Sequence, residues 1–174
     1  LEKKVDINGL EIRLPQVMEK MYLPEPDGDG IISQFDGFRD LKDIHYSLYK
    51  NKEKVGMIFD DYSFEEINKM RVCKQADLVM LFYTLRNQFD EETVKRNFNY
   101  YENCTLHDSS LSLCIHSLMA SRLNMLDTAF DLFYKSCEVD LGDNIDNSDN
   151  GIHSASIGGI WLAAAMGFGG IRAE

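Results

Sequence analysis

A chain of 174 residues is long enough for one domain with a substantial core. A hydrophobic content of 44% with 11% aromatics argues against disorder. The formal net charge of −11 speaks against nucleic acid or an anionic membrane as partner, since both bind through a basic face.

Residues 8–22 alternate weakly around Pro15 and fit either a short helix or a strand-like segment. Pro24, Pro26 and Asp27-Gly28-Asp29-Gly30 form a loop, and residues 31–38 read as an extended stretch closed by Gly37. Beyond residue 62 the pattern turns helical. Ser63 and Glu66 have capping-box spacing, and Val79, Leu81, Phe82 and Leu85 give an apolar helix after Lys74. Asp90 caps the next helix, with Glu91 and Glu92 in its first turn, and that helix continues through Val94, Phe98 and Tyr101. Asp108 or Ser109 is expected to open a third helix with the stripe Leu111, Cys114, Ile115, Leu118 and Met119. Leu126, Ala129, Phe130, Phe133 and Cys137 repeat the stripe in a fourth, and the short break near Asn124 makes the two an αα-hairpin. Residues 141–151 form a polar surface turn before a final Ala- and Gly-rich helix over 153–167.

Cys73, Cys104, Cys114 and Cys137 include no C-x-x-C pair and sit among apolar residues, so they read as buried free thiols of a reducing compartment, here the cytoplasm. No segment reaches the ~18 apolar residues of a membrane span. The chain starts at Leu1, from which no signal peptide and an excised domain or processed fragment are expected. Asn103-Cys104-Thr105 fits a glycosylation sequon, a match common by chance.

Three blocks carry chemistry. Lys74-Gln75-Ala76-Asp77 puts a long donor pair at the head of an apolar helix, suited to sugar hydroxyls or phosphate oxygens, or simply snorkelling to solvent. Thr105–Ser112 contains His107-Asp108-Ser109-Ser110, whose adjacent residues point in different directions and cannot form a nucleophilic relay. His107-Asp108 is also the dipeptide of metal-dependent HD phosphohydrolases, but His45, His116 and His153 do not complete such a ligand set, and no metal site is assigned. Gly151–Gly159 gathers His153, Ser154 and Ser156 at a helix start, where unpaired backbone N–H groups favour an anion. The competing reading is a small-residue helix packed tightly on its neighbour. Neither acidic loop completes an EF-hand, because Ile157 stands where the bidentate Glu is needed and Ile32 replaces the turn glycine.

In this order and spacing, the three blocks resemble the disaccharide phosphorylases of glycoside hydrolase family 65, among them the maltose, trehalose and kojibiose phosphorylases. The resemblance is close over residues 74–77, 105–112 and 151–161 and loose elsewhere. It implies an all-α fold, a helical-hairpin array forming part of an (α/α)6 barrel, with short extended segments near the N-terminus. Residues 1–174 would be one domain of that barrel, without the family's general-acid Glu segment or its C-terminal β domain. It implies that Lys74, Gln75, His107 and Ser109 contact substrate and that His153, Ser154 and Ser156 hold phosphate. The implied reaction is phosphorolysis of an α-glucoside with inversion, giving β-glucose 1-phosphate. Inorganic phosphate is the co-substrate, and no other cofactor is expected. The implied partners are the disaccharide, the rest of the parent enzyme and a second copy in a homodimer. No catalytic residue is assigned, so the chain alone is expected to be inactive, and maltose is taken as the commonest substrate. A hydrolase or transferase of the same fold, and a non-catalytic helical interaction module, are the alternatives.

Overall fold

The computed structural model describes residues 8–50, 56–142 and 151–172, and among them eight α-helices carry the fold. These are α1 (Asn8–Lys20), α2 (Ile58–Asp61), α3 (Phe64–Ile67), α4 (Asp77–Thr84), α5 (Glu91–Cys104), α6 (Ser112–Arg122), α7 (Leu126–Leu141) and α8 (Ser154–Leu162). The strand-like alternative for residues 8–22 does not form; that segment is helical, with Pro15 inside α1. Residues 31–38 are irregular, and among the described residues extended backbone pairs only in isolated bridges, Pro26 with Ile32, Lys42 with Met70 and Cys73 with Thr105.

Local signals set several boundaries. Ser63 and Glu66 form the capping box of α3, and Asp90 accepts the Thr93 amide at the start of α5. α6 instead starts at Ser112, later than its sequence signal. Its predicted cap, Ser109, lies in a turn behind His107, whose φ of 59° is left-handed and interrupts the run. Asn124, at φ 57°, turns the chain tightly between α6 and α7, and Ser117 Oγ donates to the Ala129 carbonyl across that hairpin at 2.8 Å. The predicted turn at 141–151 lies mostly outside the described residues. α8 follows, and Ala163–Phe168 extends it in π-helical geometry.

The core joins the irregular N-terminal part to the helices through Ile32, Phe38, Val79, Phe82, Phe98 and Tyr101. Tyr101 donates its hydroxyl to the Ile32 carbonyl at 2.7 Å, and the fully buried Asn97 accepts from the Ile32 amide at 2.8 Å. α7 turns Ala129, Leu132 and Ser136 inward, leaving Leu126, Phe130 and Tyr134 more than half exposed on successive turns. The predicted stripe on α7 is thus only partly covered, since Leu126 and Phe130 face away from α6. α8 packs closely on α6: a Cβ added at Gly159 would lie 2.3 Å from Cys114 Sγ. The described cysteines are free, three of them buried, and among the described residues no helix is long and apolar enough to cross a membrane.

Candidate functional site

The segments entering α4 and leaving α5 run side by side. The Cys73 amide donates to the Cys104 carbonyl at 2.9 Å and the Leu106 amide to the Cys73 carbonyl at 3.4 Å. This pairing sets Lys74 and Gln75 beside the turn that follows residue 106. Ser109 Oγ donates to Gln75 Oε1 at 3.3 Å, so two blocks separated by 34 positions meet through side chains. Lys74 is exposed, and its ammonium acts on the Asp108 carboxyl. Burial pushes that carboxyl up from the ordinary range, while Lys74 pulls it back. Asp108 Oδ1 is buried with no hydrogen-bond partner among the described residues. Lys74 and Asp108 also border a cavity of 310 Å³ otherwise lined mainly by apolar groups such as Phe35, Phe64, Met70 and Leu106.

His107 is turned inward, its side chain 2% exposed and both ring nitrogens engaged. Nδ1 lies 3.1 Å from Ser112 Oγ, and Nε2 lies 3.2 Å from each carboxylate oxygen of Glu102. Glu102 also receives His116 Nδ1 at 2.5 Å and the Lys50 ammonium at 2.8 Å. Burial works against this carboxylate, but the hydrogen bonds from His107 and His116 outweigh it and hold the carboxyl below its ordinary range. Burial likewise brings His107 down to about 4, against the pull of Glu102. Glu102, His107 and His116 present one ligand-type atom each within 4.8 Å of one another, a grouping that could hold a metal ion. With Lys50 on the same carboxylate, however, its acceptor positions are filled by protein donors and the cluster reads as an ion network, in which His116 Nε2 is buried with no hydrogen-bond partner among the described residues. Sequence spacing gave no sign of it, because its members come from the last turn of α5, the turn that follows it, the middle of α6 and the loop before α2.

The third block lies at the start of α8. His153 is partly exposed, and its ring is fixed by Asp140 from the last turn of α7. Asp140 Oδ1 accepts from Nδ1 at 2.9 Å and from the His153 amide at 3.1 Å. The His153 side-chain bond chiefly holds the Asp140 carboxyl below the usual range, against the opposing effect of burial. Nδ1 is thereby committed, and Nε2 has no hydrogen bond among the described residues. Ser154 is exposed, whereas Ser156 is fully buried with its hydroxyl unpartnered among those residues. Asp140 went unnoticed in the sequence, where it is one acidic residue among several near the end of α7.

Over residues 2–162 the chain matches the model of the glycosyl hydrolase family 65 central catalytic domain. The chain belongs to that family. It is 47% identical over 156 residues to the kojibiose phosphorylase of Halothermothrix orenii, covering 90% of this chain and 20% of that protein. It is 38% identical over 159 residues to the kojibiose phosphorylase of Escherichia coli, covering 91% of this chain and 21% of that protein. A solved structure assigned as a kojibiose phosphorylase from the human microbiome aligns with TM-score 0.80 and 31% identity, over 94% of this chain and 22% of that one. The chain therefore spans about a fifth of the length of these family 65 relatives, and its hairpins are part of a helical barrel. Identity to the maltose phosphorylase of Bacillus subtilis is lower, at 29%, so maltose has no advantage over kojibiose as the expected sugar.

Proposed function

We propose that this chain supplies the glucose- and phosphate-holding part of an inverting disaccharide phosphorylase, with Lys74, Gln75 and Ser109 on the sugar and His153, Ser154 and Ser156 on phosphate. The observation that carries the reading is the Ser109–Gln75 contact, which joins two of the three sequence blocks at one place. Within that turn His107 works from beneath, holding Ser109 in position while its own ring stays buried. The Asp140–His153 pair supports the phosphate assignment, because it orients the imidazole and, when the ring is protonated, leaves Nε2–H to donate to an incoming oxyanion. In the reaction a phosphate oxygen attacks the anomeric carbon and the glycosidic C–O bond breaks on the opposite face. The departing oxygen takes a proton from an acid to which no residue of this chain is assigned. Phosphate is already an anionic nucleophile, so the chain's task is to place it in line with that bond. Phosphate is the co-substrate, with no other cofactor, and the parent enzyme is read as a cytoplasmic homodimer. The similarity to kojibiose phosphorylases makes kojibiose the first disaccharide to assay with that enzyme.

A phosphate titration followed by NMR of the His153 ring and the Trp161 indole, beside His153→Ala, tests the anion site. Saturable shifts in the native chain that vanish in the variant are expected. Identical responses in both would remove His153 from the phosphate site.

A further inference from the structure

Glu102 lies outside the residues assigned to ligands, yet a continuous path leads from it through His107 to them. A neutral His107 ring next to a carboxylate takes the tautomer with the proton on Nε2, donating to Glu102 and leaving Nδ1 as an acceptor for the Ser112 hydroxyl, whose one proton is shared between Nδ1 at 3.1 Å and the Ser109 carbonyl at 3.3 Å. The Ser112 amide donates in turn to the Ser109 carbonyl at 3.4 Å, and Ser109 Oγ reaches Gln75. His107 also holds the left-handed φ of 59°, a backbone state that a non-glycine residue keeps only when its surroundings fix it. Its two ring hydrogen bonds supply that restraint. Glu102 is anchored from three directions, by Lys50 from the loop before α2, by His107 from the turn and by His116 from α6.

We propose that Glu102 is a positioning residue, whose carboxylate fixes the His107–Ser110 turn so that Ser109 and Gln75 face a single ligand. This rests on the sugar-contact reading of those two residues. Glu102→Gln keeps the shape but replaces one acceptor oxygen with a donor group, which must then face Lys50, His107 or His116. The charge that selects the His107 tautomer is lost as well.

The test follows the His107 ring nitrogens, the Ser109 amide and the Gln75 side-chain amide by NMR in the 174-residue chain, together with a D-glucose titration. In Glu102→Gln the ring-nitrogen shifts should change tautomer, the Ser109 and Gln75 signals should move, and glucose affinity should fall about tenfold, the effect of one charge-assisted hydrogen bond. The response of His153 to inorganic phosphate should stay as in the native chain. Glu102→Asp, one methylene short but still charged, should recover part of the glucose affinity. Ser112→Ala leaves the carboxylate intact and cuts only the path, so it should reproduce the Ser109 and Gln75 changes even where Glu102→Gln does not fold. A folded Glu102→Gln or Ser112→Ala with unmoved Ser109 and Gln75 signals would overturn the proposal. So would an equal loss of glucose and phosphate response with shifts spread through the whole core. If the native chain gives no response to glucose, the sugar reading fails, while the Ser109 and Gln75 signals still decide whether Glu102 positions the turn.

Discussion

Gly158 and Gly159 are adjacent in the interior of α8, yet replacing each with alanine should move stability in opposite directions. Around Gly158 an added Cβ meets nothing within 4 Å, so only the helix preference of alanine acts, a gain of about 1 kcal/mol. At Gly159 the same Cβ would sit 2.3 Å from Cys114 Sγ and 3.1 Å from Cys114 Cβ. Comfortable carbon contacts lie near 3.5–4.0 Å, so the overlap exceeds roughly 1 Å at the sulfur. Cys114 is 2% exposed and its thiol donates to the Leu111 carbonyl at 3.1 Å, which ties the sulfur in place. Overpacking of this kind costs about 1–3 kcal/mol, and after the alanine gain Gly159→Ala should be destabilising by about 1 kcal/mol. The two variants should then differ by about 2 kcal/mol, measured as urea midpoints at constant slope. Adding Cys114→Ala to Gly159→Ala should return part of the loss, because it removes the sulfur that the new methyl strikes. If Gly159→Ala raised the midpoint as much as Gly158→Ala, the close approach of α8 to α6 would be wrong. The placement of His153 at the head of α8 would then be in question too.

Asn97→Ala should cost about 2–4 kcal/mol in the same assay, since it strands the Ile32 amide and the Gly30 carbonyl that the buried side chain now satisfies; a loss under about 0.5 kcal/mol would mean that water reaches those groups. Acid should weaken the fold through His107. The unfolded chain protonates this ring near the ordinary 6.5 and the folded chain only at about 4, so its contribution is intact above 6.5 and drains away as pH falls towards 4. The loss amounts to about 3 kcal/mol, and Glu102, held below its ordinary range, extends it at still lower pH. His107→Asn, which tolerates the left-handed backbone, should flatten that part of a urea-midpoint profile against pH; a variant with the native slope would place the titration elsewhere.

Where a signal is local, the sequence already contains the answer. Ser63 with Glu66 and Asp90 with Thr93 are caps whose partners lie three residues on, and both form. Ser109 shows where this stops. A serine ahead of an apolar run reads as a cap, but its hydroxyl is drawn to Gln75, while Ser112 is drawn to His107, and the helix begins only there. The Ser109 hydroxyl still accepts the Leu111 amide at 3.4 Å, so the distant Gln75 joins a local partner instead of replacing it. Leu126 and Phe130 show a second limit: periodicity tells which side of α7 is apolar, not whether a neighbour arrives to cover it. Glu102 shows the third. Its partners stand 52, 5 and 14 positions away, a set with no period, and nothing around it in the sequence separates it from a solvated helix end.

The two histidines of the candidate site looked alike as text, each next to small hydroxyl residues and each read as a ligand contact. Their surroundings divide the work. His107 has both nitrogens committed inside the protein and a side chain 2% exposed, so it can affect a ligand only through the turn it holds. His153 has one nitrogen committed to Asp140 and a side chain 39% exposed, so the same carboxylate pairing that orients it leaves the other nitrogen facing outward. A partly buried carboxylate therefore serves each ring differently: Glu102 gathers His107 with two further donors into a support, whereas Asp140 holds His153 alone and aims it. Substitutions at the two positions should separate accordingly. His107→Asn should disturb the glucose response through Ser109, and His153→Ala the phosphate response, each leaving the other in place. A common loss in both variants would show that the turn and the start of α8 hold one ligand jointly.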